Sequence, residues 1–219
     1  MSNLAAKDLR KTYPTPDGEL VIFDSLSLSL ESGDALAIVG PSGCGKSTLL
    51  HCLGTLEPPT SGTVLFDGTD PYSLSAKELA AFRNKQIGFV FQDHFLLPQL
   101  SAFQNVLVPC LASSHISDET SRRARELLEK VGLGERMNHL PSQLSGGERA
   151  RVAIARALVT NPSVVLADEP TGSLDLKSAD VVADLLLSIY QAEKVALLIV
   201  THSERLATRL PRQLKLGSV

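Results

Sequence analysis

Eight consecutive residues, Gly40-Pro41-Ser42-Gly43-Cys44-Gly45-Lys46-Ser47, carry the most specific chemistry in the chain. They fit the spacing G-x-x-x-x-G-K-[ST] of a loop that wraps a phosphate chain. Glycines let the backbone curl until successive amides point inward, and a helix starting at the loop adds the positive end of its dipole. Lys46 can then reach the β and γ phosphates, and the Ser47 hydroxyl can coordinate Mg²⁺. Thr48 follows in the same nucleotide-binding stretch. Further on, Val164-Val165-Leu166-Ala167-Asp168-Glu169 ends an apolar run with two adjacent carboxylates. Ligands gather at the carboxyl ends of strands in open parallel sheets. There Asp168 would bind Mg²⁺ directly or through water, while Glu169 would orient and partly deprotonate an attacking water. Loop and carboxylates together imply a nucleoside triphosphatase or a kinase and do not decide between them.

These groups need a scaffold, and the apolar pattern supplies one. Residues 26–30 alternate Leu and Ser as a half-buried strand does, and 35–39 form an apolar strand that ends at Gly40. Residues 46–53 have helical spacing, which gives strand, glycine-rich loop and helix. A second strand-rich stretch covers 63–67 and 87–91; between them Ser75 and Glu78 form a capping-box pattern for a helix over 75–83. Residues 101–110 and 118–131 read as helices, the second opened by Asp118 and ended by Gly132. Beyond them come a helix at 146–158, a strand at 163–167, a helix at 176–190, and strands at 195–200 and 213–216. Continuous apolar strands between helices predict a parallel sheet covered on both faces.

Composition narrows the function classes. With 21 Lys plus Arg against 24 Asp plus Glu, a net charge of −3 leaves no general basic field for a nucleic-acid backbone. The apolar runs are far shorter than the roughly 20 residues that cross a bilayer. Residues 1–10 include Lys7, Asp8 and Arg10 and lack the apolar core of an export signal, so a cytoplasmic location is expected. The 3 cysteines, Cys44, Cys52 and Cys110, lack metal-site spacing and are expected as free thiols in a reducing compartment. Cys44, between Gly43 and Gly45, reads first as a small side chain that the loop tolerates, and second as a thiol whose thiolate nearby main-chain amides could favour, making it sensitive to oxidants. His51, His94, His115 and His139 form no ligand spacing.

Leu144-Ser145-Gly146-Gly147-Glu148-Arg149 narrows the reading further. The string resembles the ABC ATPase signature LSGGQ, with Glu148 where Gln is commoner. Physically it is a second anion-binding helix terminus, made from the Ser145 hydroxyl and glycine amides that no side chain obstructs. One chain offers one γ phosphate, so a second phosphate-facing element suggests that each nucleotide lies between two chains.

The resemblance covers nearly the whole sequence. It implies an α/β phosphate-loop ABC ATPase fold: a mainly parallel core sheet with an antiparallel β subdomain, and an inserted helical subdomain. Residues 1–219 would form a single ATP-binding domain, with 1–92 and 146–219 as the catalytic core and 93–145 as the helical insertion. Residue by residue, Tyr13 matches the aromatic group that stacks on adenine, and Gln92 matches the glutamine that touches Mg²⁺ or water and senses the transmembrane subunit. Ser173, Leu174 and Asp175 match the loop that contacts the opposite chain's phosphate loop, and Asp175 can also cap the helix that follows it. His202 matches the switch histidine between the γ phosphate, Glu169 and the opposite chain. Lys46, Glu169 and His202 would be the catalytic residues. Ser145, Gly146, Gly147 and Glu148 would bind ATP in trans, and Ser47, Gln92 and Asp168 would hold Mg²⁺. The cofactors implied are ATP and Mg²⁺. The partners implied are a second copy on ATP binding and separate transmembrane permease subunits at the cytoplasmic face of the inner membrane, with no nucleic acid and no direct membrane insertion.

Within the family, Arg83-Asn84-Lys85, Gly88-Phe89-Val90-Phe91-Gln92 and Leu140-Pro141-Ser142-Gln143-Leu144 resemble ATPases of lipoprotein-release and macrolide-export systems. Cell-division and amino-acid import ATPases share several of these strings, which leaves small-solute transport as an alternative, and soluble ABC ATPases acting on ribosomes or DNA form a rival class. A kinase or GTPase outside the family would leave residues 144–148 and His202 without a purpose, and the chain has no guanine-selecting N-K-x-D string.

Overall fold

The computed structural model describes residues 2–112 and 116–217, so His115 lies outside the described residues. In chain order the strands are β1 (Ser2–Thr15), β2 (Gly18–Glu31), β3 (Ala35–Val39), β4 (Ser61–Leu65), β5 (Ile87–Val90), β6 (Val164–Asp168), β7 (Ala196–Thr201) and β8 (Arg212–Lys215). The helices are α1 (Lys46–Leu53), α2 (Ala76–Gln86), α3 (Ala102–Leu107), α4 (Asp118–Lys130), α5 (Gly146–Leu158), α6 (Leu176–Glu193) and α7 (Glu204–Ala207). Two sheets result. β2-β1-β4 is antiparallel, and β5-β6-β7-β3-β8 is parallel throughout. This is the mixed architecture expected.

Alternation along the central strands explains why the parallel sheet is stable. Ala35, Ala37, Val165, Ala167, Leu197 and Ile199 join one buried cluster, together with side chains of α4, α5 and α6. Their neighbours Leu36, Ile38, Val164, Leu166, Leu198 and Val200 join a second, with α1 and the β1–β2 hairpin. Successive strand residues face opposite sides, so a strand apolar at every position is buried on both. Each full burial of a Leu, Ile or Val contributes about 1.5–3 kcal/mol.

Helix limits follow local chemistry. Ser75 and Glu78 form the expected capping box, with Ser75 N–H donating to Glu78 Oε2 at 3.0 Å. α4 opens at Asp118 as expected, and the residue before it supplies the cap: Ser117 Oγ accepts from Thr120 N–H at 3.1 Å. The helix expected over 101–110 stops at Leu107 and tightens into a 3₁₀ turn, Val108–Ala112. Pro109 has no N–H to donate back along an α-helix and so ends it. α6 outruns its expected end at 190 and closes only at Lys194, at φ 53°.

α5 packs across β5, and the approach is closest at Gly88. A Cβ there would lie 2.2 Å from the Ala157 carbonyl oxygen, which is helix backbone and cannot swing aside. Gly88→Ala is therefore expected to lower stability by about 1–3 kcal/mol, the usual cost of overpacking. Thermal or urea unfolding measures this, and an unchanged midpoint would contradict the close approach.

Candidate active site

The phosphate loop leaves β3 after Val39 and runs into α1 at Lys46. Gly43 and Gly45 adopt φ 80° and φ 92°, a region that side chains disfavour. At Gly45 space is also lacking, because a Cβ would come 2.3 Å from Ile22 Cγ2. Ser42, Gly43, Gly45, Lys46, Ser47 and Thr48 line a cavity of about 410 Å³, which Ile22, Gln92, Glu169 and His202 complete. Gly40, Pro41 and Cys44 do not line it. Lys46 Nζ is buried and donates to the Gly40 and Pro41 carbonyls at 3.0 and 2.9 Å. Cys44 is buried as well, against Gly40. This fits a small side chain tolerated in the loop, since its packing closes it off from solvent.

The two strand-end carboxylates point to different tasks. Asp168 Oδ1 accepts from Ser47 Oγ at 3.2 Å. Burial raises the Asp168 pKa above its ordinary value, and the Glu169 charge adds to the rise; the Ser47 hydrogen bond and the charges of His51 and Lys46 oppose it. Glu169 turns away through a backbone at φ 42°. Its Oε1 accepts from the His202 amide at 2.8 Å and from His202 Nδ1 at 2.7 Å, and its Oε2 accepts from Thr201 Oγ1 at 2.9 Å. A carboxylate acceptor requires the proton on Nδ1. The adjacent hydroxyl and carboxylate oxygens of Ser47 and Asp168 are the donor type that Mg²⁺ prefers. Gln92 lines the same cavity, and its carbonyl accepts from Ser173 Oγ at 3.3 Å.

Tyr13 stands beside this cavity rather than in its lining. Its hydroxyl donates to Glu57 Oε2 at 2.9 Å. Burial raises the Tyr13 pKa, with the Glu57 hydrogen bond and charge adding; a hydrogen bond with Thr48 and the Lys11 charge pull it down.

The signature residues are elsewhere. Ser145 caps α5: its Oγ accepts from Glu148 N–H at 3.2 Å, while Glu148 Oε2 accepts from Ser145 N–H at 2.8 Å. Glu148 is thus the fourth residue of a capping box, a role that S-x-x-E announces in the sequence and that reading it only as a substitute for Gln had missed. Its pKa lies below the usual value because of the Ser145 hydrogen bonds, opposed by burial and aided by Arg136 and Arg151. Ser145, Gly147 and Glu148 line a separate cavity of about 200 Å³ with Lys177, Ser178 and Val181, and this cavity shares no residue with the first. Gly146 lies close to Leu174, whose side chain is partly buried; Ser173 and Asp175 are exposed. Asp175 caps α6, with Oδ1 accepting from the Lys177 and Ser178 amides at 3.1 Å each.

A strand, an amide-lined loop, a buried lysine and a hydroxyl–carboxylate pair on parallel strand ends define a phosphate-loop nucleoside triphosphatase. The family model for ABC transporters matches residues 23–172. The lipoprotein-releasing system ATP-binding protein LolD 1 of Rhodopirellula baltica is 52% identical over 213 residues, 97% of this chain and 93% of that protein. LolD of Syntrophus aciditrophicus is 46% identical over 213 residues, 97% of this chain and 96% of its own. Among solved structures, the dimeric post-hydrolysis state of the ATP-binding cassette MJ0796 bound to ADP and Pi has TM-score 0.86 and 37% identity, covering 97% of this chain and 94% of that one. The chain belongs to the ABC transporter family, in which it is an ATP-binding and ATP-hydrolysing subunit.

The Lys46 ammonium is buried and donates to two carbonyls of its own loop. Lys46→Ala is expected to weaken ATP binding by about 10- to 100-fold, the loss of one or two charge-assisted hydrogen bonds. Titration with a fluorescent ATP analogue measures it, and wild-type affinity would count against the phosphate-loop assignment.

Proposed function

We propose that this chain drives the release of lipoproteins from a membrane. It works as a homodimer that closes on two ATP·Mg²⁺ and reopens after hydrolysis, coupled to separate membrane permease subunits at the cytoplasmic face of the inner membrane. The observation that carries the dimeric reading is the division of one chain into two half-sites with no shared lining residue. Lys46 and His202 of one chain hold each γ phosphate together with Ser145 and Gly147 of the second copy. Gly146 and Glu148 shape that second helix terminus, and Ser173, Leu174 and Asp175 meet the opposite phosphate loop. Tyr13 stacks on the base, while residues 40–48 cradle the phosphates. Ser47, Asp168 and Gln92 hold Mg²⁺, which supplies charge neutralisation on the phosphate oxygens. Glu169 orients the attacking water and draws its proton, and His202 fixes the Glu169 carboxylate. Closure excludes water from the site, so hydrolysis follows assembly.

The substrate class rests on the two relatives named for lipoprotein release, which match almost end to end at 52% and 46% identity. The small-solute and soluble ribosome or DNA readings have no comparable support. No helix among the described residues is long and apolar enough to cross a membrane, which fits a separate permease. A groove of about 470 Å³, lined by Arg83, Phe89, Phe95, Pro109 and Arg156 among others, is the permease contact. Phe95 is 62% exposed there, and Arg156 holds its loop by donating to the Phe95 and His94 carbonyls at 2.7 and 2.6 Å.

Glu169→Gln should keep ATP binding, lose most hydrolysis and accumulate as a dimer on size exclusion; hydrolysis near the wild-type rate would remove Glu169 from its assigned role. The same variant, purified with ATP from detergent-solubilised native membranes, should carry a four-helix membrane subunit with a large extracytoplasmic domain, identified by mass spectrometry. A many-helix permease would shift the substrate class to small solutes, and recovery of ribosomal proteins alone would overturn the transport reading.

A further inference from the structure

A partly buried polar cluster beside the phosphate cavity joins three segments of the chain. Lys11 is 7% exposed. Its Nζ pairs with Glu57 Oε1 at 2.7 Å, donates to the Pro58 carbonyl at 2.9 Å, and lies 4.9 Å from the centroid of the Tyr13 ring. The other carboxylate oxygen of Glu57 takes the Tyr13 hydroxyl. Each oxygen of this one carboxylate thus has its own donor, an ammonium and a phenol. The backbone of Glu57 is fixed in turn: its amide donates to the His51 carbonyl at 3.3 Å, and the Tyr72 hydroxyl donates to its carbonyl at 2.6 Å.

The charges in the cluster reinforce one another. Burial works against the Lys11 cation, yet the hydrogen bond and charge of Glu57 hold its pKa above the ordinary value, with smaller contributions from Cys52 and Tyr13. The Glu57 pKa is lowered first by the Lys11 hydrogen bond, against burial, and then by Tyr13 and by the charges of Lys11 and His51. Stability alone does not call for such an arrangement, because an ion pair whose carboxylate is partly exposed contributes about 1 kcal/mol or less. What apolar side chains cannot do is hold a phenol by its oxygen and cover one face of its ring with a cation.

We infer that Lys11 and Glu57 are positioning residues for nucleobase recognition: they anchor the Tyr13 hydroxyl and occupy one ring face, presenting the other face to the base of a nucleoside triphosphate. The inference rests on the proposed stacking role of Tyr13. Two features of the geometry favour it. Lys11 Nζ lies over the Tyr13 ring from the same strand, β1, and the Tyr13 hydroxyl meets Glu57 just beyond α1, the helix whose first turn brings Ser47 and Thr48 to the phosphate cavity. A cation on one face draws electron density from the ring and strengthens stacking of an electron-rich purine on the other. Stacking reads a flat base and not its edge pattern, so the device favours purine nucleotides as a class.

The test compares a ligand that has a base with one that lacks it. Binding of ATP, GTP and inorganic tripolyphosphate is measured by competition against a fluorescent nucleotide, for full-length wild type, Tyr13→Phe, the pair Lys11→Met with Glu57→Leu, and Tyr13→Ala. Tyr13→Phe and the paired apolar variant are each expected to weaken ATP and GTP by about 3- to 10-fold and leave tripolyphosphate unchanged; combining them should add little, since both release the same tether. Thermal unfolding checks that the paired variant is folded, and Tyr13→Phe, which deletes a single oxygen, carries the test if it is not. Equal weakening of ATP and tripolyphosphate would reduce the cluster to a structural clamp and overturn the inference. If Tyr13→Ala weakens ATP but Tyr13→Phe and the paired variant do not, stacking stands and the positioning role falls. If Tyr13→Ala changes nothing, the stacking reading fails first and takes the inference with it.

Discussion

The register of three neighbouring parallel strands sets the geometry on which everything else in this molecule depends. β3 and β7 pair with Val39 opposite Thr201, and β6 and β7 pair with Asp168 opposite Val200. The residues that follow these strands therefore leave the sheet at one level: the phosphate loop after Val39, Glu169 after Asp168 and His202 after Thr201. A slip of one residue in either pairing would turn the strand-end side chains to the opposite face and scatter the group. Burial of both sheet faces makes such a slip costly, because it would move apolar side chains such as Ile199 and Leu198 into the wrong cluster.

On this frame the most demanding residue is Glu169. A non-glycine backbone at φ 42° costs on the order of 1–3 kcal/mol and persists only where its surroundings hold it. Here they do. The Glu169 amide donates to the Val200 carbonyl, and its carbonyl accepts from Gly172 N–H, both at 2.9 Å. The carboxylate collects three further hydrogen bonds from His202 and Thr201, and bonds to a charged group are worth about 1.5–3 kcal/mol each. Thr201 is fully buried, and its hydroxyl also accepts from Ser203 N–H at 3.0 Å. The kink separates Glu169 from Asp168 and lets adjacent carboxylates face a histidine and a serine respectively.

Helix termini organise the second cavity. α5 and α6 begin side by side, each closed by its own polar cap, Ser145 with Glu148 and Asp175 with Ser178. A Cβ on Gly147 would lie 3.2 Å from Ser178 Cβ, so small residues at the start of α5 allow the close approach. Capping satisfies amides that would otherwise be unpaired and leaves the dipole ends open toward solvent.

Local chemistry fixed much of this chain in advance. The phosphate loop, the capping boxes, the strand that ends in Asp168 and Glu169, and the doubly buried sheet all follow from residue type and spacing, because each depends on neighbours within a turn or a strand. Helix ends at Ser117, Leu107 and Lys194 were less legible, since competing caps and Pro109 act over one or two residues. Other features were not legible at all. Nothing near Lys11 in the sequence points to Glu57, nor anything near Glu169 to Thr201, 32 residues away. Sequence spacing by itself determined which chemical groups the protein carries and which elements hold them. Only the tertiary structure decided which groups meet, because strand order, register and helix packing bring together residues that share no local pattern, and because it places residues 42–48 and residues 145–148 on cavities with no lining residue in common.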